Sequence, residues 1–326
     1  MSAALLLTRF PPAFCEALAL RLDLLGPHDP EAAIALSPEV RAEVRVVISM
    51  GTLKCSAALM AALPALGLVC NYGSGFEGTD LEAAAARGIA VTNSPSGNAT
   101  AVADLAMGLL LAACRRIVVA DRFVRAGQWT GRGTSAARMP LVHGLPGRRL
   151  GIFGLGEIGE RIARRADAFE MEVGYYNRSR RPDVPYPYHA SLEALADWAD
   201  VLVVAARADA GNRHIVSRDV MRALGPDGIV VNIARGSLLD QSALADLIVA
   251  GALGAAGLDV FENEPNVPET LRALETVVLT SHIAGGTFDA HETLKRMVLA
   301  NVDAFLAREP VPTPVGLKTA PREARA

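Results

Sequence analysis

The chain has 326 residues, of which 51% are hydrophobic, 21% charged and only 5% aromatic, with a formal net charge of −3. That length can bury one large core or two of ordinary size, and the composition is that of a soluble globular protein. The charge balance gives no reason to expect nucleic acid or an anionic membrane as partner. Cys15, Cys55, Cys70 and Cys114 are scattered among apolar residues without a CxxC pair or zinc spacing, so reduced structural thiols and a cytoplasmic location are expected. The opening apolar run Ala3–Leu7 is too short for a signal-peptide core, and no stretch has the roughly 20 apolar residues of a membrane span.

In chain order, short apolar runs end in Gly, Asn or Ser and are followed by segments of helical period. Residues 45–51, 66–73 and 89–93 read as strands, and 56–63 and 80–87 as the helices between them. This is the alternation of a parallel α/β sheet. Ala99 to Gly127 reads as one long helix. A second series follows, with strands at 150–154, 171–176, 201–205, 228–233, 257–260 and 277–280 and helices at 157–169, 191–198, 217–224 and 240–251. A last helix runs from 287 to 308.

The first series lacks a helix that the last segment could supply by crossing back. The expected architecture is therefore α/β, with two doubly wound parallel-sheet domains: a discontinuous flavodoxin-like substrate domain, residues 1–97 and 285–326, and an inserted Rossmann domain, residues 98–284. A cleft between them is expected, with hinges near 93–99 and 284–288. Ligands in such sheets bind at the carboxyl ends of the strands.

Gly154-Leu155-Gly156-Glu157-Ile158-Gly159 follows a strand and opens a helix. A lone GxGxxG means little, but this context is what a dinucleotide requires: a tight turn at Gly154, close approach of the pyrophosphate at Gly156, and helix-on-strand contact at Gly159. The helix start offers amide hydrogens to the phosphates. About 20 residues on, the next strand should end in the group that reads the ribose. Here it ends in Asn177-Arg178-Ser179-Arg180-Arg181, without a carboxylate. Arg178, Ser179 and Arg180 could surround a 2′-phosphate, so NADP(H) is the expected cofactor, with NAD(H) as the alternative.

Three chemistry-bearing residues follow strands of the same series: Arg235, Glu264 and His282. Reduction of a 2-keto acid needs a hydride on the carbonyl carbon and a proton on its oxygen. An arginine can hold the carboxylate, a histidine can donate the proton, and a buried glutamate can orient the imidazole and favour its charged form. His28, His189, His214 and His291 show no acidic partner at useful spacing, and no His/Asp/Glu cluster suggests a metal.

Taken in order, Gly154–Gly159, Asn232-Ile-Ala-Arg-Gly, Gly257-Leu-Asp-Val-Phe-Glu-Asn-Glu-Pro and Ser281-His-Ile-Ala-Gly-Gly-Thr resemble the D-isomer-specific 2-hydroxyacid dehydrogenase family, in its glyoxylate/hydroxypyruvate reductase branch. The likeness spans nearly the whole chain. It implies NADPH-dependent reduction of glyoxylate or hydroxypyruvate to a D-2-hydroxy acid. It further implies Arg235 as catalytic and substrate-binding, His282 as general acid with Glu264 as its partner, and Asp259 near the nicotinamide amide. Ala205, Ile233, Ala234, His282 and Gly285 complete the expected cofactor contacts. Asn71-Tyr-Gly-Ser-Gly-Phe76 resembles the family's carboxylate-binding loop, which makes Ser74 and Gly75 substrate-binding residues. A homodimer built through the inner domain is also implied, with the segment 138–143 near the partner subunit's active site. Trp129 and Met139 could wall the substrate pocket, a structural role being the alternative for Trp129.

Two departures stand out. The first is Arg207 where the family usually has a proline, followed by Ala-Asp-Ala-Gly-Asn212 where a threonine is more usual; the second is the segment Arg138-Met-Pro-Leu-Val-His143. A phosphoglycerate-dehydrogenase-like enzyme and a non-catalytic dinucleotide-sensing scaffold are the rival readings. The first favours an acidic ribose position; the second has no use for an intact Arg235/Glu264/His282 set.

Overall fold

The computed structural model describes residues 2–130, 139–209 and 211–316. The chain divides into two compact units, Met1–Asn98 with Thr287–Ala326, and Ala99–Gly286. The first contains strands β1 (Ala3–Leu6), β2 (Asp23–Leu25), β3 (Val44–Ser49), β4 (Leu68–Asn71) and β5 (Ala90–Thr92). They form one sheet in the order β2-β1-β3-β4-β5, parallel throughout. The second contains β6 (Arg149–Phe153), β7 (Glu172–Tyr176), β8 (Val201–Val204), β9 (Ile229–Asn232), β10 (Ala255–Leu258) and β11 (Val277–Leu279). Their order is β11-β10-β9-β8-β6-β7, again all parallel. The expectation of two doubly wound parallel sheets is met.

Parallel strands covered on both faces are apolar at every position rather than at alternate ones. All residues of β4, β8, β9 and β10 are buried. The side chains still alternate between faces. Val201 and Val203 join one core with Ile162, Ala163 and Ala166 of the helix Glu157–Ala168. Leu202 and Val204 join the opposite core with Leu195, Val220 and Leu244. In the first unit, Leu5 and Val47 lie on one face. Ala4, Leu6, Val46 and Ile48 lie on the other, against Leu294, Val298 and Val302 of the helix Phe288–Leu306. The four-residue spacing of those last three puts them in one stripe on the helix. Thr287 caps that helix, its Oγ1 accepting the Ala290 amide at 3.2 Å.

Several expectations are corrected. The stretch 99–127 is two helices, Ala99–Cys114 and Ile117–Arg125, because Arg116 adopts a left-handed conformation at φ 50°. Strands β1 and β2 were not expected; at four and three residues they carry too little pattern to read. Strand β10 is Ala255–Leu258, so it begins and ends two residues before the expected 257–260. All four cysteines are free, with Cys55, Cys70 and Cys114 buried and Cys15 only half-buried. No helix among the described residues is long and apolar enough to cross a membrane.

Candidate active site

In the second sheet the order of strands reverses at β6, whose neighbours are β7 and β8. The carboxyl ends of β6 and β8 therefore border a crevice, the usual ligand position in doubly wound sheets. A groove of about 700 Å³ lies there. Phe153 to Gly156 form its floor, Tyr176 to Ser179 one wall, and Ala205, Ala206, Arg207 and Asp209 the other, with Gly211, Asn212 and Ile215 completing it.

Gly154 has φ 101°, and a Cβ there would lie 2.4 Å from the Ala206 nitrogen. A Cβ on Gly159 would lie 2.5 Å from the Gly154 carbonyl oxygen. Both must be glycine for the β6 turn and helix to meet. At Gly156, by contrast, an added Cβ meets nothing within 4 Å. The backbone of Gly156 thus borders open space that a side chain would occupy, and the chain's own packing gives no reason for glycine there.

The helix Glu157–Ala168 starts behind Gly156 with no side chain capping it. Ser56, Asp80, Ser191, Ser217, Asp240 and Thr287 each cap a helix elsewhere by accepting an early amide. A helix start lacking such an acceptor, at the floor of a groove, suits an external anion. A dinucleotide pyrophosphate fits this cradle.

At the end of β7, Asn177 holds the glycine turn: its Oδ1 accepts the Leu155 amide at 2.7 Å. Arg178 and Ser179 line the groove, whereas Arg180 does not. Arg181 belongs to the scaffold. Its guanidinium pairs with Glu160 and Asp183 and donates to the Leu155 carbonyl at 3.2 Å. Arg178 donates to Asp209 at 3.2 Å. Sequence reasoning did not single out Asp209, Tyr176 or Ile215. The signal available for Asp209 was its place just beyond β8.

The other expected residues lie along the same strand ends, after the adjacent strands β9, β10 and β11. Ala205 and Ile233 follow β8 and β9, their amides donating to Phe153 and Val204 carbonyls at 2.8 and 3.4 Å. Asn232 Oδ1 accepts the Ala234 amide at 3.1 Å, and its Nδ2 donates to the Arg235 carbonyl at 3.0 Å. These two bonds shape the half-buried Arg235 turn, and the Arg235 Nη1 donates to the Ala234 carbonyl at 2.7 Å. The next residue, Gly236, sits hard against the Phe261–Glu262 backbone, where an added Cβ would come within 2.0 Å. The Arg235 turn is thereby seated on the loop that carries Glu264.

His282 Nδ1 lies 2.7 Å from Glu264 Oε2, and the other carboxylate oxygen accepts the Phe261 amide at 3.0 Å. The Glu264 side chain is 33% exposed, so the expectation of a buried carboxylate is corrected. The buried one is Asp259. Its Oδ1 accepts from Thr280 Oγ1 at 2.6 Å and from the Ile283 amide at 2.9 Å, and its Oδ2 accepts the Ala284 amide at 3.0 Å. Ala284 is buried, and Gly285 follows it half-buried.

Among the remaining histidines, the reading that His214 lacks an acidic partner is overturned. Its Nε2 lies 2.9 Å from Glu262 Oε1, which also pairs with Arg213. His291 Nδ1 lies 3.2 Å from the Tyr72 hydroxyl. His143 is 3.6 Å from Asp227. Among the described residues, no group of three or more His, Cys, Asp or Glu could hold a metal ion.

In the first unit, the loop after β4 has Gly73 at φ 143°. Ser74 Oγ donates to the Ser94 carbonyl at 3.2 Å, and Asn93 Nδ2 donates to the Ser74 carbonyl at 2.8 Å. The Gly75 backbone lies so close to Gly51 that a Cβ on Gly51 would come within 2.3 Å of it. The loop is fixed by its own unit. Arg138, at the start of the segment 138–143, lies outside the described residues.

Comparison with known proteins gives a consistent result. The family model for "D-isomer specific 2-hydroxyacid dehydrogenase, NAD binding domain" matches residues 107–284. A hydroxyphenylpyruvate reductase of Plectranthus scutellarioides is 40% identical over 272 residues, covering 83% of this chain and 85% of the relative. Glyoxylate/hydroxypyruvate reductase A of Arabidopsis thaliana is 40% identical over 286 residues, covering 88% and 90%. The crystal structure of an NADPH-dependent glyoxylate/hydroxypyruvate reductase from Sinorhizobium meliloti, in complex with NADP and malonate, superposes with a TM-score of 0.88. It shares 36% identity and covers 96% of both chains.

Proposed function

The chain belongs to the D-isomer specific 2-hydroxyacid dehydrogenase family, and from that premise we propose that it reduces glyoxylate and hydroxypyruvate with NADPH. The observation that carries the reading is the His282–Glu264 contact of 2.7 Å, made at the strand ends that follow a dinucleotide groove in the same sheet. When bound, the reduced nicotinamide supplies the hydride that goes to the carbonyl carbon of the keto acid.

The residues of the chain do the rest. Glu264 occupies Nδ1 of His282, so an ionised carboxylate fixes which ring nitrogen is left for the substrate. Nε2 then holds the proton and releases it to the carbonyl oxygen as negative charge develops there, leaving an imidazole whose Nδ1–H still donates to Glu264. Arg235 offers a fixed positive charge to the keto acid. Ser74 and Gly75 are assigned to the substrate carboxylate by resemblance. Among the described residues, neither of their amides donates to a protein acceptor, which supports that assignment.

The preference for NADPH is supported by the groove wall of Arg178 and Ser179 and the absence of a carboxylate at the end of β7. A homodimer is supported by the helix Ile117–Arg125, which buries none of its residues within the chain. Four free thiols support a reducing, cytoplasmic location.

The test is a panel of glyoxylate, hydroxypyruvate, pyruvate and hydroxyphenylpyruvate, each with NADPH and with NADH, followed at 340 nm. The first two substrates should give the highest kcat/KM, with NADPH. His282→Ala should lose roughly 10²–10⁴-fold in kcat while NADPH still binds. Undiminished turnover in that variant would remove the assignment.

A further inference from the structure

Strands β7 and β8 lie on either side of β6, so the turns that follow them face each other across the Gly154–Gly156 floor. From the β7 side comes Arg178, and from the β8 side come Arg207 and Asp209; all three line the groove. Arg178 Nη1 donates to Asp209 Oδ2 at 3.2 Å. The two partners are not held alike. Asp209 is braced within its own turn: its Oδ1 accepts the Gly211 amide at 2.9 Å and its amide donates to Asn212 Oδ1 at 2.8 Å. Asn212 Nδ2 in turn donates to the Arg207 carbonyl at 2.9 Å. The Arg178 side chain is 82% exposed, and its contact with Asp209 is the one hydrogen bond described for its guanidinium. The carboxylate is the fixed member and the guanidinium the one that can be redirected.

We propose that Asp209 sets the balance between NADPH and NADH by holding Arg178 across the mouth of the groove. The inference rests on the reading of Arg178 as part of the 2′-phosphate site. Asp209 acts through Arg178 and is a positioning residue.

An exposed ion pair contributes a factor of about five at most to an equilibrium, so a dianionic phosphate can displace the carboxylate. It does so against two costs that a neutral ribose hydroxyl does not meet. Arg178 must give up an existing partner, and the phosphate must sit near a fixed negative charge. Both costs fall on the phosphorylated dinucleotide alone. Asp209 therefore narrows a preference that Arg178, Arg207 and Ser179 would otherwise make steeper. A carboxylate absent from the end of β7 is supplied, in effect, from the opposite wall.

The experiment measures dissociation constants of NADPH and NADH by isothermal titration of the full chain, without substrate. In Asp209→Asn, Oδ1 still accepts the Gly211 amide while the charge is gone. The ratio Kd(NADH)/Kd(NADPH) should rise roughly 3–10-fold, mainly through tighter NADPH binding. The gain should shrink as salt is raised from 50 to about 500 mM, as an electrostatic effect must. An unchanged or lower ratio overturns the inference, as does a gain indifferent to salt. In an Arg178→Ala background only the repulsion between Asp209 and the phosphate remains, so Asp209→Asn should move the ratio less than it does with Arg178 present, and an equal or larger effect there would likewise overturn it. Arg178→Ala alone separates the premise from the inference. If it weakens NADPH no more than NADH, the phosphate-site reading fails. If it weakens NADPH selectively while Asp209→Asn does nothing, only the role given to Asp209 fails.

Discussion

The backbone carbonyl of Asp259 accepts the amide of His282 at 2.9 Å, and the Asp259 side chain accepts the next two amides, those of Ile283 and Ala284. One buried residue thus shapes the whole turn in which His282 stands at φ 55°. Left-handed backbone is costly for a residue with a Cβ, by about 1 kcal/mol, and here three hydrogen bonds from one partner hold it. Glu264 then fixes the ring, and Asp259 fixes where the ring starts.

Asp259→Asn should expose that dependence. The substituted amide must point its NH₂ at either the Ile283 or the Ala284 amide, leaving a buried donor facing a donor. A loss of about 1–3 kcal/mol in unfolding free energy is expected, together with a fall in kcat larger than any change in NADPH affinity. Urea unfolding and steady-state kinetics measure the two. Wild-type stability in the variant would show that the three bonds do not hold the turn.

The glycines of the β6 turn separate stability from binding. Gly159→Ala places a Cβ 2.5 Å from the Gly154 carbonyl oxygen, and the helix must shift, at about 1–3 kcal/mol for overpacking. Gly156→Ala meets no atom within 4 Å and stands in extended backbone at φ −94° and ψ −159°, so the fold should be unaffected. Its methyl group instead enters the space assigned to the pyrophosphate. NADPH affinity should fall at least about 10-fold without a change in melting temperature. Equal thermal losses in both variants would remove the distinction between a packing glycine and a binding one.

How much of this was legible depended on whether a residue's partner is local or distant. The Gly154–Gly159 turn could be read because its requirements lie within six consecutive residues. Arg235, Glu264 and His282 could be read as following strands, and adjacency in a parallel sheet follows from strand order. His214 could not be paired with Glu262, because the contact joins turns after different strands and no spacing rule links them. Arg180 read as a member of the phosphate clamp, yet it does not line the groove, and its neighbour Arg181 is engaged by Glu160 from the dinucleotide helix itself. Strand β2 was invisible for another reason: its three residues, Asp23–Leu25, owe their conformation to pairing with β1.

Burial pushes the thiols of Cys55 and Cys70 up to about 12. The thiolate is the reactive form, so neither should be alkylated at pH 8 in the folded protein. Brief treatment with iodoacetamide, followed by peptide mass spectrometry, should leave both unmodified, and all four cysteines should react in denaturant. Modification of Cys70 in the native protein would show that this part of the sheet opens.

The helix Ile117–Arg125 carries Ile117, Val118, Val119, Phe123 and Val124 and buries none of them within the chain. Ile117 and Val124 are 51% and 52% exposed, and Leu141 of the following segment is 88% exposed. Helix and segment border one depression, lined by Ala120, Met139, Leu141 and Val142 among others. Apolar side chains gathered this way favour a protein partner over water, at roughly 25 cal/mol per Å² removed from solvent. A second copy of this chain is the occupant proposed above. Ile117→Glu with Val124→Glu should halve the mass measured by light scattering at micromolar concentration. Because both side chains already face solvent, these substitutions should leave the fold of the single chain intact, as circular dichroism would record. A monomeric wild-type protein at that concentration would rule the dimer out.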